Sequence, residues 1–272
     1  MPRAVFHCHS TYSDGECTLT ELRELFLAEG VDFACMTDHA EFFDAERLRA
    51  YREECEALSD ERFRFVAGLE YECERRMHVL GYGVTTLAGT TDPQEVIRHI
   101  ESEGGVSVIA HPMDSMFEWI ETFDALPTGV ETWNTKYDGR YAPRAGTFRL
   151  LGRLQQRKPE MRAFYGTDLH WRHQYRGLSN VVRLDAEALR GDSERARDAV
   201  LAALRRGDFA GDKGGAELPS SGTLADEQLA RFESVNGRYH LWRNLLKRAK
   251  KMSGRVGKRL PAPIKAQLRR IF

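Results

Sequence analysis

No stretch of the 272-residue sequence approaches the roughly 18 consecutive apolar residues that a membrane-crossing helix needs. The N-terminal MPRAVFHCHS has neither an apolar h-region nor a small-residue cleavage site, so no secretory signal is expected there. The cysteines are few: Cys8, Cys17, Cys35, Cys55 and Cys73 are odd in number and include no CxxC pair. That excludes a thiolate zinc cluster and argues against a disulfide framework. A reducing cytoplasm fits best, with the cysteines as small buried residues. There is no G-x-G-x-x-G opening a helix after a strand and no P-loop lysine, which disfavours a nucleotide-cofactor fold. There is no G-x-S-x-G elbow for a serine hydrolase. No internal repeat and no long low-complexity segment occur.

Acidic residues are also missing from one region. Between Arg238 and Phe272 there are twelve Lys or Arg and no Asp or Glu, while the remainder carries 28 basic against 41 acidic residues. An acidic body ends in a basic tail, and the two need separate explanations.

What is present is a rhythm of short apolar runs followed by helical patterns. Strands are expected over 4–9, 33–36, 63–68, 77–84, 106–110, 129–134, 162–165 and 180–184. Helices are expected after the Thr18/Glu21 capping box up to Gly30, over 44–58, from Pro93 to about 103, over 143–156 and over 193–206. Such alternation predicts an α/β fold with a largely parallel sheet, whose active site lies at the C-terminal ends of the strands.

The polar residues concentrate at those ends. His7, His9, His39, His78, His111 and His170, six of the nine histidines, fall within or at the ends of short strands, as do Glu70 and Asp168. In an extended strand His7 and His9 point to one side. Imidazole with carboxylate suits zinc, manganese or iron, and this many ligands suits two or three divalent ions with a bridging carboxylate. His99, on a helix, and His240, in the tail, read as ordinary residues.

The segments HCHSTYSDG, TDH, GLE, HVLGYG, AHP, GVETWN and GTDLH follow one another in this order. The succession resembles the motifs of the PHP (polymerase and histidinol phosphatase) superfamily of phosphoesterases, over residues 4 to about 210. The resemblance implies a distorted (β/α)7 barrel with a C-terminal basic helical tail, and a trinuclear site at its strand ends. By that resemblance His7, His9 and Asp168 hold one ion and Glu70 bridges to a second. His78 and His111 complete the second; His39 and His170, with Asp14, hold a third. Gly15 stands where some members carry a histidine. Asp38 is assigned a catalytic supporting role, orienting a ligand or capping the turn.

Such ions lower the pKa of a bridging water to about 7 and bind phosphoryl oxygens, so a phosphate ester is hydrolysed by hydroxide. The expected substrate is a small phosphomonoester, a nucleotide or a sugar phosphate. A nuclease acting on single-stranded ends is the alternative, and an amidohydrolase-like C–N hydrolase a weaker one. A non-enzymatic binding module on a degenerate barrel conflicts with the near-complete ligand set. The loop 133–144 supplies Lys136, Arg140 and Arg144 for phosphate, and Tyr137 or Trp133 for stacking. A second basic-aromatic loop spans 171–176.

The expected division is a barrel over 1–210, a linker over 211–223 (GDKGGAELPSSGT) and a basic amphipathic helical tail over 224–272. The tail either docks on the acidic body, lies on an anionic membrane surface or binds nucleic acid, which would make the protein cytoplasmic and peripheral in the membrane case.

Overall fold

A computed structural model describes residues 1–139 and 141–253. Arg140 and the tail beyond Ser253 lie outside the described residues.

The strands are β1 (Arg3–Phe6), β2 (Phe33–Cys35), β3 (Asp38–His39), β4 (Arg64–Val66), β5 (Gly68–Glu72), β6 (His78–Tyr82), β7 (Val106–Ala110), β8 (Gly129–Asn134), β9 (Arg162–Gly166), β10 (Ser179–Val182), β11 (Phe209–Lys213) and β12 (Ala216–Pro219). The α-helices are α1 (Leu19–Ala28), α2 (Ala45–Ala57), α3 (Pro93–Ser102), α4 (Phe117–Glu121), α5 (Ala145–Gln155), α6 (Ser193–Arg206) and α7 (Asp226–Ser253). The helix starts follow the local chemistry. Thr18 and Glu21 close a reciprocal capping box at α1, Asp44 and Asp192 cap α2 and α6, and Asp92 precedes Pro93 at α3. Gly207, at φ 76°, ends α6 in the left-handed conformation that glycine adopts without penalty.

Two six-stranded sheets result, in the orders β12-β11-β10-β1-β2-β4 and β3-β5-β6-β7-β8-β9. They approach each other where the chain passes from β2 into β3 and from β4 into β5. There Met36 N–H donates to Val66 O (2.9 Å) and Thr37 N–H to Cys8 O (2.9 Å). On the other side Thr167 N–H donates to Phe6 O (3.0 Å) and His9 N–H to Leu169 O (2.9 Å), tying the end of β9 to the end of β1.

Two expectations are corrected. The sheet is not largely parallel: β5–β6, β6–β7, β1–β10, β10–β11 and β11–β12 are antiparallel, as many as the parallel pairs. Residues 211–223 are not a plain linker, because the hairpin β11–β12 runs through them and extends the first sheet. Gly214 and Gly215, at φ 59° and 82°, form its turn. Within the expected helical tail, residues 226–253 form one continuous helix.

Beneath the strand ends lies an aromatic layer. Phe6 of β1 packs against Tyr82, Phe164 and Phe209 with ring centroids 5.7–6.0 Å apart, and all four are fully buried. Each such ring contributes about 1.5–3 kcal/mol on burial. This layer is the apolar floor on which the polar residues stand.

Candidate metal centre

Glu70 is the hub. It sits inside β5, opposite His39 in the parallel register with β3. Its Oε2 lies 3.3 Å from His7 Nε2, 3.2 Å from His9 Nε2 and 3.6 Å from His39 Nδ1. Its Oε1 lies 2.6 Å from His78 Nδ1 and 3.1 Å from His111 Nε2. Asp168, beyond β9, faces it. Asp168 Oδ1 is 3.5 Å from His9 Nε2 and 3.1 Å from His170 Nδ1, and Oδ2 is 3.7 Å from His111 Nε2. Asp14 Oδ1 closes the far side, 3.1 Å from His170 Nε2 and 3.6 Å from His39 Nε2. All nine residues singled out as ligands therefore meet in one cluster.

Topology explains the meeting. His78 is the first residue of its strand, not the last. Because β6 runs antiparallel to β7, His78 pairs with Ala110, beside His111. The start of an antiparallel strand lies where its parallel neighbours end. His7 and His9 do not converge as alternate residues of an extended strand. Strand β1 stops at Phe6, and His7 takes φ 60°; the two rings nevertheless lie 5.3 Å apart. His111 and Asp168 also have positive φ, at 26° and 48°. Side chains other than glycine adopt such backbones at a cost of about 1–3 kcal/mol each, and such strain gathers at functional sites.

Three overlapping groups of donors could each hold an ion: His7, His9, Glu70 and Asp168; His9, Asp14, His39 and His170; and His39, Glu70 and His78. The donor chemistry fits divalent cations. Both ring nitrogens of His9 are buried without a hydrogen-bond partner, although Glu70 and Asp168 oxygens lie 3.2–3.5 Å from Nε2. Side chains aimed at a shared centre, rather than at each other, leave this signature. The cysteines contribute nothing. Cys8 points at Cys35 O and Met36 Sδ, and burial pushes its thiol pKa well up.

The electrostatics are those of a buried ionic cluster. Burial alone would lower the His7 pKa, but the charges of Glu131, Glu70 and Asp168 outweigh it and raise it well above the usual value. His9 follows the same pattern: burial opposes, Asp168 and Glu70 prevail, and its pKa rises to about 9. At His39 burial wins over the pull of Glu70, the charge of His9 adds to it, and the pKa falls to about 4. The carboxyls move the opposite way. Burial would raise Glu70 and Asp168, but the facing histidines hold both well below the usual carboxylate range.

Glu131, in the expected strand 129–134 but not among the expected site residues, supports the cluster from below. It is buried in β8. Its Oε1 accepts from His7 Nδ1–H (2.8 Å), and its Oε2 accepts from the His111 backbone N–H and Asn134 Nδ2–H (both 2.9 Å). Gly166 opposite has no room for a side chain, since a Cβ there would collide with Glu131 Oε1. A carboxylate in the middle of an expected strand was the available signal. Asp38 is buried, and its oxygens are taken up by Ser10 N–H and Oγ–H (2.8 and 2.9 Å) and by Ser13 Oγ–H (2.6 Å). It fastens the loop that carries Asp14.

At the lip, Lys136 Nζ donates to Asp168 Oδ1 at 3.1 Å. The half-exposed Tyr137 lies over His111 with ring centroids 4.5 Å apart. Trp133 is no stacking platform: it is buried and its Nε1–H donates to Gly139 O. Arg144 is engaged by Asp138 (3.4 Å), Asp114 (3.2 Å) and the Pro112 carbonyl. Trp171 of the 171–176 loop lies 5.6 Å from the His170 ring. His99 pairs with Glu103 on α3, apart from the cluster. A cavity of about 580 Å³ adjoins His111; Tyr137, Arg144, Arg149, Asn236 and His240 are among its walls. A second, of about 610 Å³, lies on the His39 side and is rimmed by Glu41, Glu72 and Glu74.

The fold and part of the sequence are shared with known proteins. Over 74 residues, 24% of this chain, the sequence is 34% identical to the DNA polymerase/3'-5' exonuclease PolX of Bacillus subtilis (strain 168). The chain spans only 13% of that relative's length. A Bacteroides vulgatus crystal structure, a two-domain protein described as containing a predicted PHP-like metal-dependent phosphoesterase, superposes with a TM-score of 0.53 at 16% identity. That match covers 85% of this chain and 68% of the other. PsfC from Pseudomonas syringae superposes with a TM-score of 0.51 at 12% identity, covering 88% of this chain and 98% of PsfC. Likeness at such identities establishes the fold alone. The family model of the PHP domain matches residues 6–166. That span is more than half of the sequence and holds the first six motif segments, so the chain belongs to the PHP domain family.

Proposed function

We propose that the protein is a metal-dependent hydrolase of phosphate esters, acting on a small phosphomonoester, a nucleotide or a sugar phosphate. The observation that carries this reading is the convergence of five histidines on the two oxygens of Glu70, beside Asp168. The ring of strands from β1 through β9, joined at both margins, fits a closed barrel of the (β/α)7 kind, with α7 as a helical appendage. Divalent ions (Mn, Zn or Fe, two or three in number) held by the three donor groups would supply Lewis acidity toward phosphoryl oxygens and activation of water.

The chain's own residues do the rest. Glu70 and Asp168, kept ionised, provide the negative charge that retains cations. His39, neutral at pH 7, offers a free lone pair. Glu131 holds the Nδ1 proton of His7, which leaves Nε2 as the donor atom facing Glu70. Lys136, a quarter exposed at the lip, is placed to bind a phosphoryl oxygen once its bond to Asp168 is shared. Tyr137 offers a flat surface for the leaving group. Asp38 acts through the loop it fastens.

The test is phosphate release from a panel of monoesters, nucleotides and short oligonucleotides, for wild type and His7→Ala. Turnover of at least one ester that His7→Ala loses supports the proposal. Activity indifferent to His7 sinks it. A second reading, hydrolysis at single-stranded nucleic-acid ends, draws support from the stretch similar to an exonuclease. Faster turnover of oligonucleotides than of small esters would favour it.

A further inference from the structure

Leu241, Trp242 and Leu245, in the second half of α7, are not among the residues gathered around Glu70 and Asp168. The first half is docked. Leu229 is buried, Phe232 packs against Phe148, Glu233 pairs with Arg149, and Asn236 Nδ2–H donates to Pro143 O at 2.8 Å. From Leu241 onward the character changes. Leu241 is 61% exposed, Trp242 64% and Leu245 48%, three large apolar side chains within about one turn of helix. Charge changes at the same place. Residues 226–237 include Asp226, Glu227 and Glu233 against Arg231, whereas residues 238–253 include Arg238, Arg243, Lys247, Arg248, Lys250 and Lys251 and no acid.

The order of residues sorts these two classes. At about 100° per residue, positions 241, 242, 245, 249 and 252 (Leu, Trp, Leu, Ala, Met) fall within about 100° of the helix circumference. Positions 243, 247, 250 and 251, all basic, fall on the opposite arc, and Arg248 borders the stripe beside Leu241. An apolar stripe with Trp and Leu, backed by an arc rich in cations and free of acids, is the pattern of a helix lying in the plane of a lipid interface. No described helix is long and apolar enough to cross a membrane. Nucleic acid fits less well: cations and Trp242 could serve phosphates and bases, but exposed leucines offer them nothing.

We propose that the segment of α7 from Leu241 to Ser253 binds the protein peripherally to an anionic membrane surface. Leu241, Trp242 and Leu245 enter the headgroup region and the flanking Lys and Arg meet lipid phosphates. His240, one residue before the stripe, is among the walls of the cavity beside His111. Attachment would hold that cavity close to the headgroups. The proposal does not depend on the hydrolytic reading.

The experiment is co-sedimentation of the full chain with vesicles of phosphatidylcholine alone and of phosphatidylcholine mixed with phosphatidylglycerol. The same assay is run on the exposed-residue variant Leu241→Ser/Trp242→Ser/Leu245→Ser, whose folding is checked by its circular dichroism and melting temperature. Binding to the mixed vesicles, weakened at least about ten-fold both by omitting the anionic lipid and by the triple substitution, supports the proposal. No sedimentation with the mixed vesicles overturns it, as does sedimentation indifferent to the substitutions. A chain that ignores vesicles but retains a single-stranded oligonucleotide reassigns the surface to nucleic acid. One that ignores vesicles but forms a dimer dissolved by the substitutions reassigns it to self-association.

Discussion

Glu131→Gln keeps the size of the side chain and removes one charge and one acceptor. In the native protein Oε1 takes the His7 Nδ1 proton and Oε2 takes two protons, from His111 N–H and Asn134 Nδ2–H. A glutamine has only one acceptor oxygen. Turned toward His111 and Asn134, it presents its NH2 to His7 Nδ1. The ring then moves its proton to Nε2, the atom that faces Glu70 at 3.3 Å, and loses its lone pair for ligation. Turned the other way, it leaves two buried donors facing an NH2. A hydrogen bond to a charged group contributes about 1.5–3 kcal/mol, which corresponds to about 10- to 150-fold in affinity. Titration of ion-free protein with Zn or Mn against a competing chelator should therefore show at least one ion bound about 10- to 100-fold more weakly than in wild type. An affinity unchanged within about two-fold would refute the assignment of Glu131 as the group that sets the His7 tautomer.

Other outcomes follow from the same geometry. Because His9 is held near pKa 9 in the ion-free protein, ion binding at neutral pH should release a proton; calorimetry in buffers of different ionisation enthalpy measures it. The linkage has a definite sign. A histidine with a raised folded pKa stabilises the ion-free protein fully below about pH 6.5 and loses that contribution as pH rises through about 9. The gain in melting temperature on adding ions should accordingly grow from pH 6.5 to 9, as a pH series of melting curves would check. Gly15→Ala drives a Cβ into the His9 carbonyl, displaces the turn that holds Asp14, and should weaken one ion selectively, seen as a lower stoichiometry at limiting metal. All five cysteines are buried thiols with raised pKa, so a thiol reagent at pH 8 should label none quickly until the protein is unfolded.

Much of this arrangement was legible because period and punctuation are local properties. The Thr18/Glu21 box, Pro93 after Asp92 and the runs 106–110 and 129–134 are encoded by neighbouring residues and fell where expected. The clustered histidines and carboxylates were legible because histidine is rare and its placement at strand ends is not what packing alone selects. Strand direction was not legible. Nothing within MHVLGYGV distinguishes a strand running against its neighbours, yet that direction is what brings His78 beside His111. The Gly214-Gly215 pair signals a hairpin turn as readily as a linker, and only the pairing of Phe209–Lys213 with Ala216–Pro219 decides between them. Trp133 and Tyr137 share a segment, but burial separates them: one bonds Gly139 and the other covers His111. Glu131 escaped because its role depends on what lies above it, the Nδ1 atom of His7 from just past the end of β1, more than a hundred residues away.

The most direct test of the central claim is elemental analysis of the chain after loading with Mn, Zn and Fe and removal of free ions by gel filtration. Glu70→Ala is measured beside wild type. Glu70 belongs to two of the three donor groups, so its loss should reach most of the centre. Roughly two or three ions per wild-type chain, falling to one or fewer in the variant, is the expected result. Less than one ion per wild-type chain, or a count that Glu70→Ala leaves unchanged, would contradict the account.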